Sequence, residues 1–412
     1  MDFHFIDDEY VWNIPLSSPA VSGAQFLQSW EWGIFQQTFG RAVHRIQIVE
    51  GETAMAAMQV FEYPLPFGKK YLYAPRGPVI LSNETDLYDT IVQQLCLASR
   101  EITADKPSLF FRGEPVASGY SLIRANKRIV ESDKLEKNSD ASKAGEQILY
   151  IESVFGSFGF RPGHSVQPMD ELVVILNNNE DDLLAAMHEK TRYNIRLAIK
   201  HGVRARLIEQ PDYARRVFPF FWELVQETAK RQKIRTHSKE YYSRMVELLV
   251  PRGVLKLMLA EYENKIIAAH LLSVFGDTVY YLHGGSSYDN RQLMAPYLLH
   301  WEGIKLAKRL EKKYYNFGGV SPPSPVLIDV SMSSKKDDYM VKSWLSSVGF
   351  GGQVRHKEHP WQNLTKFKEG FVKYGETGQR LHYVGGLDFV FQPIWYRIYK
   401  AARHLQRFTR IG

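Results

Sequence analysis

The sequence predicts an α/β protein made of two tandem copies of one unit, each built around a mixed sheet. Three correspondences in the same order carry that reading. Residues 266–275 (IIAAHLLSVF) mirror 53–61 (TAMAAMQVF), 280–285 (YYLHGG) mirror 71–77 (YLYAPRG), and SVGF at 347–350 mirrors SFGF at 157–160. No stretch approaches identity, but the order is kept at a spacing of roughly 190 to 212 positions. The implied unit is a strand hairpin, a central strand, a turn, a helix, a strand, a second helix and a last strand.

Taken in order, residues 1–20 read as an irregular or strand-forming lead. Residues 26–39 (FLQSWEWGIFQQTF) have helical spacing and stop at Gly40. Residues 43–49 and 54–61 alternate or run apolar around Gly51-Glu52, which predicts a hairpin. Tyr71-Leu72-Tyr73 then enters APRGPV, a Pro/Gly-framed turn carrying Arg76. A helix over 85–104 and a short buried strand at 109–111 follow. Residues 124–147 are polar and poor in large apolar groups, which predicts an exposed loop or surface insertion. A helix over 148–158 ends in GFRP, and 171–176 reads as a strand.

Residues 187–206 (MHEKTRYNIRLAIKHGVRAR) read as a basic helix that stops at Gly202 and runs into a strand. Lys190, Arg192, Arg196 and Lys200 fall largely on one broad face. After a long helix over 217–231, the hairpin recurs at 254–262 and 266–275 around Glu263-Asn264, followed by a helix over 293–310. The last part of the chain, 387–408, reads as an amphipathic helix with Trp395, Tyr396 and Ile398 beside Arg397, Lys400, Arg403 and Arg407. The expected domains are 1–165, 166–365, and an extension over 366–412 that packs back on the first.

Composition narrows the function classes. A chain of 412 residues is too long for one core, and 44% hydrophobic with 24% charged residues suits a soluble globular protein. The net charge of +7 favours an anionic partner, whether nucleic acid, a phosphorylated small molecule or an acidic membrane surface. The single cysteine, Cys96, lies in an apolar helical pattern and reads as core; an internal disulfide is excluded, in keeping with a cytoplasmic setting. The N-terminus has no signal-peptide pattern, and no run approaches the ~20 apolar residues of a membrane span. There is no GxSxG, no Cys-His signature and no zinc spacing among thirteen histidines. No metal or cofactor is expected, and His164, His201, His270, His283 and His300, scattered singly, read as structural.

Six segments together, KTRYNIRLAIKHGV (190–203), YAPRGPV (73–79), GGSS (284–287), LMAPYLLHWEGIKLAK (293–308), YYNFGGV (314–320) and FKEGF (367–371), resemble the FemAB/FemX family over about residues 25–396. That family builds the interpeptide bridge of bacterial peptidoglycan. The resemblance implies two tandem GNAT-like domains (the acyl-CoA N-acyltransferase fold); no sustained heptad stretch supplies the helical-hairpin arm of some members, so no coiled-coil arm is expected and the likeness is to FemX-type members. It also implies a monomer that moves an amino acid from aminoacyl-tRNA to a stem-peptide amine of lipid II or UDP-MurNAc-pentapeptide.

Aminoacyl-tRNA is already an activated ester. Such an enzyme has only to place the amine, let it lose a proton, and stabilise the oxyanion. Through the resemblance, Lys368 is the candidate for stabilising developing charge or the tRNA acceptor end, with Phe367 shaping the pocket. Lys190, Arg192 and Arg196 are candidates for a substrate pyrophosphate, since guanidinium forks suit phosphate oxygens. Arg76 either points into the same cleft or holds its turn. Strand alternation sends one of Tyr280 and Tyr281 to the cleft and the other to the core. Ser286 and Ser287 are candidate donors to the stem peptide. The chain departs from the family in three places. Gln36 stands where relatives often carry a phosphate-contacting lysine, Ile80-Leu81-Ser82 where an aspartate often follows PRGPV, and Asn316 where an aspartate is common.

Two other readings stay open. An acyl-CoA-dependent GNAT calls for a glycine-rich pyrophosphate loop, which RQLMAP (291–296) and QQTFGRA (36–42) do not supply. A non-enzymatic nucleic-acid-binding protein would use the charge but leaves the duplication without a purpose. The tail over 387–408 either packs on a neighbouring domain, the favoured reading, or makes peripheral contact with the inner face of the membrane.

Overall fold

The computed structural model describes residues 1–17, 25–82, 84–117, 140–322 and 360–408. The first run opens with β1 (Asp2–Phe5) and α1 (Glu9–Ser17). The predicted helix over 26–39 divides into a short 3-10 turn and α2 (Trp30–Gln37), because Ser29 Oγ accepts from the Trp32 amide at 3.1 Å and caps a new start. Then come β2 (Val43–Glu50), β3 (Thr53–Pro64), β4 (Lys70–Ala74), β5 (Val79–Ile80), α3 (Tyr88–Ile102), β6 (Phe110–Gly113) and β7 (Val116–Ala117). The run closes with α4 (Asp140–Ser157) and β8 (Phe160–Pro162).

The second run holds β9 (Asp170–Ile175), α5 (Glu180–Ala186), α6 (Glu189–Lys200), β10 (Arg204–Ile208), α7 (Pro211–Gln232) and α8 (Lys239–Leu249). It continues through β11 (Leu255–Tyr262), β12 (Lys265–Phe275), β13 (Thr278–Ser286), α9 (Ala295–Arg309) and β14 (Tyr314–Gly319). Both predicted hairpins form. Glu263 and Asn264 take φ of 47° and 61°, the left-handed pair that a two-residue turn requires. Gly202, at φ 81°, stops α6 as expected.

The last stretch contributes α10 (Gln362–Glu369), β15 (Gly378–His382), β16 (Leu387–Val390) and α11 (Pro393–Phe408). Residues 387–390 are therefore a strand rather than the start of a helix. Leu387 and Phe389 are buried between two strands, and Pro393 begins the helix where its missing N–H costs nothing. Of the predicted polar loop, residues 140–147 are already helical backbone. Their Ala, Lys, Glu and Gln are strong helix formers, which the low apolar content masked. Residues 118–139 and the SVGF repeat at 347–350 lie outside the described residues.

The two sheets share one plan. The first runs β1-β2-β3-β4-β6-β16-β8 and the second β10-β11-β12-β13-β14-β9-β15. In each, three antiparallel steps lead to one parallel step and then two more antiparallel ones. The sixth strand is exchanged. β9, which follows the first run, completes the second sheet, and β16, which follows the second run, completes the first. A buried ion pair anchors β16: Arg112 Nε and Nη2 donate to Asp388 Oδ1 and Oδ2 at 2.6 and 2.7 Å, and the Tyr396 hydroxyl adds a bond at 2.7 Å.

Two cores are private to the halves, one under α3 and α4 and one under α6 and α9. A third joins them, packing Trp12, Phe35 and Phe61 against Phe221, Met245 and Leu271. The two halves thus meet through a continuous apolar interior.

Candidate active site

The parallel step separates two strand ends, and the two sheets treat it differently. In the first sheet, Leu72–Ala74 pairs with Phe111–Gly113, and Val79-Ile80 then pairs with Val116-Ala117, so the step is stitched on both sides of the turn. Glu114 seals the gap. Its Oε2 accepts from the Tyr73 hydroxyl at 2.9 Å, and its Oε1 accepts from the Val166 and Gln167 amides at 2.7 and 3.0 Å. In the second sheet, β13 and β14 pair only over residues 278–280 and 314–316, although β13 runs on to Ser286. β14 turns away at Gly318, at φ 71°, to meet Glu171 of β9. The second sheet is open where the first is closed.

Lys368 occupies that opening. It lies near the end of α10, is 4% exposed, and its Nζ donates to the Gly319 carbonyl at 2.6 Å. Burial disfavours the ammonium and lowers its pKa to about 8, against the attraction of Glu171, which holds the proton on. Aromatic packing fixes α10: Phe367 meets Tyr297 at 4.9 Å and His300 at 5.5 Å, and Phe371 is buried against Phe317. Gly370 allows α10 to end against α6, since a Cβ there would lie 2.4 Å from Thr191 Oγ1.

Glu171 is the hub of this site. Its Oε1 accepts from Arg76 Nη2 at 2.6 Å, and its Oε2 accepts from Asn316 Nδ2 at 2.8 Å and from the Tyr383 hydroxyl at 3.0 Å. Burial alone would raise its pKa, but Arg76 and these donors outweigh burial and hold the carboxylate ionised below its usual range. Arg76 is 2% exposed, stacks 3.5 Å over the Tyr383 ring, and donates to the Pro168 carbonyl at 2.6 Å. Burial opposes its charge, and Glu171 restores it. The first half's PRGP turn is thus clamped to the second half's β9. The carboxylate missing at Asn316 is supplied from the adjacent strand.

Tyr280 and Tyr281 divide as alternation requires. Tyr280 packs on the core that joins the halves, and burial, with Tyr383, Asp277 and Glu171 nearby, pushes its hydroxyl pKa far up. Tyr281 turns to the second half's own core and meets His270 and His300 at 4.7 Å each, with the two histidines 4.4 Å apart. These rings form the wall behind Lys368, whose charge, after burial and His270, helps keep His300 neutral.

Arg76, Lys368, Phe367, Tyr280 and Tyr281 therefore converge, and the remaining candidates do not. Lys190 and Arg196 are exposed on α6, and Arg192 donates Nη1 to the Ala185 carbonyl at 3.0 Å and to the Met187 carbonyl, closing the end of α5. Ser286 is held by α7: its amide donates to Thr228 Oγ1 at 3.0 Å and its carbonyl accepts from Arg231 at 3.2 Å. Ser287 Oγ accepts from Asn290 at 3.2 Å. Gln36 is buried in a separate aromatic seam between the halves. There Arg41 donates to Gln36 Oε1 and sits 4.4 Å over the Tyr63 ring, while His237 stacks on Tyr241 at 3.9 Å beside His283. A cation is present where the resemblance expects a lysine, but it is carried five residues later.

Glu171, Tyr383, Arg41 and the His270–His300 pair escaped the sequence reading. Glu171 had one signal, its place beside Asp170 at the head of an apolar strand (DELVVI), where a buried carboxylate is costly unless paired. Nothing local in the sequence marks Tyr383 or the meeting of two histidines thirty residues apart.

A family model described as the FemAB family matches residues 18–263 and 252–324. The chain is 24% identical over 272 residues to UDP-N-acetylmuramoylpentapeptide-lysine N(6)-alanyltransferase of Weissella viridescens, covering 66% of this chain and 72% of that enzyme. It is 24% identical over 175 residues to Lipid II:glycine glycyltransferase of Staphylococcus aureus, covering 42% of this chain and 40% of that enzyme. A crystal structure of FemX superposes with a TM-score of 0.70 at 15% identity, over 97% of this chain and 99% of that one. The expected pair of tandem GNAT-like domains agrees with that superposition, and no long helical-hairpin arm interrupts the second run among the described residues.

Proposed function

The chain belongs to the FemAB family, and we propose that it transfers an amino acid from aminoacyl-tRNA to a stem-peptide amine of a peptidoglycan precursor, either lipid II or UDP-MurNAc-pentapeptide. The observation that carries this reading is a buried lysine at the one parallel step that stands open. The acceptor amine attacks the ester carbonyl and the carbonyl oxygen takes up negative charge. The ester C–O bond then breaks, and the proton lost by the amine passes to the departing ribose oxygen. Lys368, mostly protonated at neutral pH with a pKa of about 8, offers an ammonium to that oxyanion from a water-poor site. Glu171 keeps Lys368 charged and Arg76 in place without acting as a base, because its own carboxylate is saturated with donors. Phe367, Tyr281 and His300 form the apolar wall against which the aminoacyl group lies.

The acyl-CoA reading is weaker at the start of α9, where a pyrophosphate cradle would be. Leu293 and Ala295 are buried there, and Pro296 removes an amide. In the aromatic seam at Gln36, Arg41 is our candidate for the substrate phosphate in place of the α6 cations. Incubation with a pool of charged tRNAs and either acceptor, followed by product mass, tests the proposal. A mass gain of one or more aminoacyl units is expected. Gain from acyl-CoA alone would overturn it.

A further inference from the structure

The tip of the β3–β4 hairpin and the outward side of α11 stand together and are apolar where they meet water. Phe67 is 89% exposed, Ile394 74%, Ile398 51% and Trp395 37%. Lys69 Nζ lies 4.7 Å over the Trp395 ring, so hairpin and helix present one surface. The inner side of α11 is already satisfied, with Tyr396 packed on Phe110 at 5.2 Å and Tyr399 on Phe110 at 5.0 Å. Packing on the first half therefore uses one set of aromatic side chains and leaves a second set outside. Phe67 and Gly68, at φ 61° and 66°, place the phenylalanine at the apex of its turn in a conformation that a bulky residue rarely adopts.

Cations are interleaved with these residues. Lys69, Arg397 and Lys400 flank them, and neither 64–70 (PLPFGKK) nor 393–403 (PIWYRIYKAAR) holds a carboxylate. Lys70 is paired with Glu62 at 2.8 Å, while Lys69, Arg397, Lys400 and Arg403 have no carboxylate partner among the described residues, so their charge is not neutralised there. The core of a protein interface is depleted of charged residues, lysine among them. Here single apolar groups project between cations, the composition of a segment that lies in a lipid headgroup layer.

The geometry points to peripheral docking on an anionic bilayer, with Phe67, Ile394, Trp395 and Ile398 entering the headgroup region and Lys69, Arg397 and Lys400 meeting lipid phosphates. No helix among the described residues is long and apolar enough to cross a membrane. The docking deepens the proposed function, and rests on it in one respect: it brings the enzyme to a lipid-linked acceptor.

The test is co-sedimentation of the full chain with vesicles of phosphatidylcholine, with and without phosphatidylglycerol. The protein is expected to pellet with the anionic vesicles and to be released by salt. A triple variant, Phe67→Ser, Ile394→Ser and Ile398→Ser, is expected to bind roughly tenfold less with unchanged melting temperature, because all three side chains are at least half exposed. Lys69→Ala with Arg397→Ala and Lys400→Ala is expected to lose the preference for anionic lipid. Failure of the wild-type chain to pellet, equal pelleting of the triple variant, or a wild-type dimer that the triple variant abolishes would each overturn the docking. With the lipid-linked acceptor in vesicles the triple variant is expected to lose transfer, and with the soluble UDP-linked acceptor to keep it. If the wild type transfers to neither, the proposed function fails and the vesicle result still decides the docking.

Discussion

The two sheets of this chain have the same strand order and opposite fates at the parallel step. The first sheet continues its ladder past the turn and fills the gap with Glu114, whose oxygens are taken by Tyr73 and two backbone amides. The second stops its ladder at Tyr280 and Asn316 and admits Lys368. On the proposed function, duplication yields one module that serves as scaffold and one that carries the chemistry. The difference lies in a few hydrogen bonds rather than in the fold. Each sheet also depends on a buried ion pair contributed across the chain: Arg112–Asp388 in the first and Arg76–Glu171 between the first half and the second.

That comparison is open to direct challenge. Breaking either pair leaves a buried guanidinium without its counter-charge, which costs about 3–5 kcal/mol. Asp388→Asn is expected to lower stability by that amount in denaturant melts and, where folded, to keep kcat. Glu171→Gln is expected to lose as much stability and also to lose transfer, because Lys368 then surrenders its proton more readily. Equal kcat losses from both variants would dissolve the distinction between scaffold and site.

Lys368→Ala is expected to reduce kcat by about 10²–10³, the range for losing one oxyanion donor, with the fold intact. The pH dependence sharpens the assignment. A needed ammonium predicts transfer that falls as pH rises through about 8, and Lys368→Arg should move that alkaline limb upward because a guanidinium stays charged. Stability runs the other way. A lysine whose pKa is about 8 in the folded state, below its ordinary 10.5, releases its proton first when folded. Stability therefore rises with pH between those two values and is flat below about 8. Lys368→Met should lack that rise in melts taken across the same range.

The smallest effects belong to α6. Lys190→Ala and Arg196→Ala, on an exposed face, should change stability by less than about 0.5 kcal/mol. If these two cations hold the substrate phosphate, KM for the acceptor rises with kcat unchanged. If Arg41 does so, Arg41→Ala raises it instead, and acceptor titrations of the three variants separate the two.

The local features of this protein were legible in its sequence. Both hairpins, the helices read over 85–104, 217–231 and 293–310 and found over 88–102, 211–232 and 295–309, the stop at Gly202 and the doubling follow from periodicity and turn residues, which act over a few positions. FKEGF singled out Lys368 as a candidate through resemblance, and alternation separated Tyr280 from Tyr281, although each packs on a core rather than one on a cleft. Position in three dimensions was another matter. The pairing of Asp388 with Arg112 spans 276 residues, and that of Glu171 with Arg76 spans 95. No local pattern records which sheet β9 or β16 will join. The same holds for charge. Arg76 and Arg192 look alike as cations in a basic chain, yet one is buried against a carboxylate and the other caps a helix end. Burial and counter-charge are properties of the packed whole. The sequence determined most elements and their repetition, but residues 1–20, read as an irregular or strand-forming lead, hold the helix α1, and α5 and α8 were not read. Tertiary structure decided which of two equivalent steps stays open, because that rests on the β5–β7 pairing and the Glu114 contacts of the first sheet, which the second lacks among the described residues.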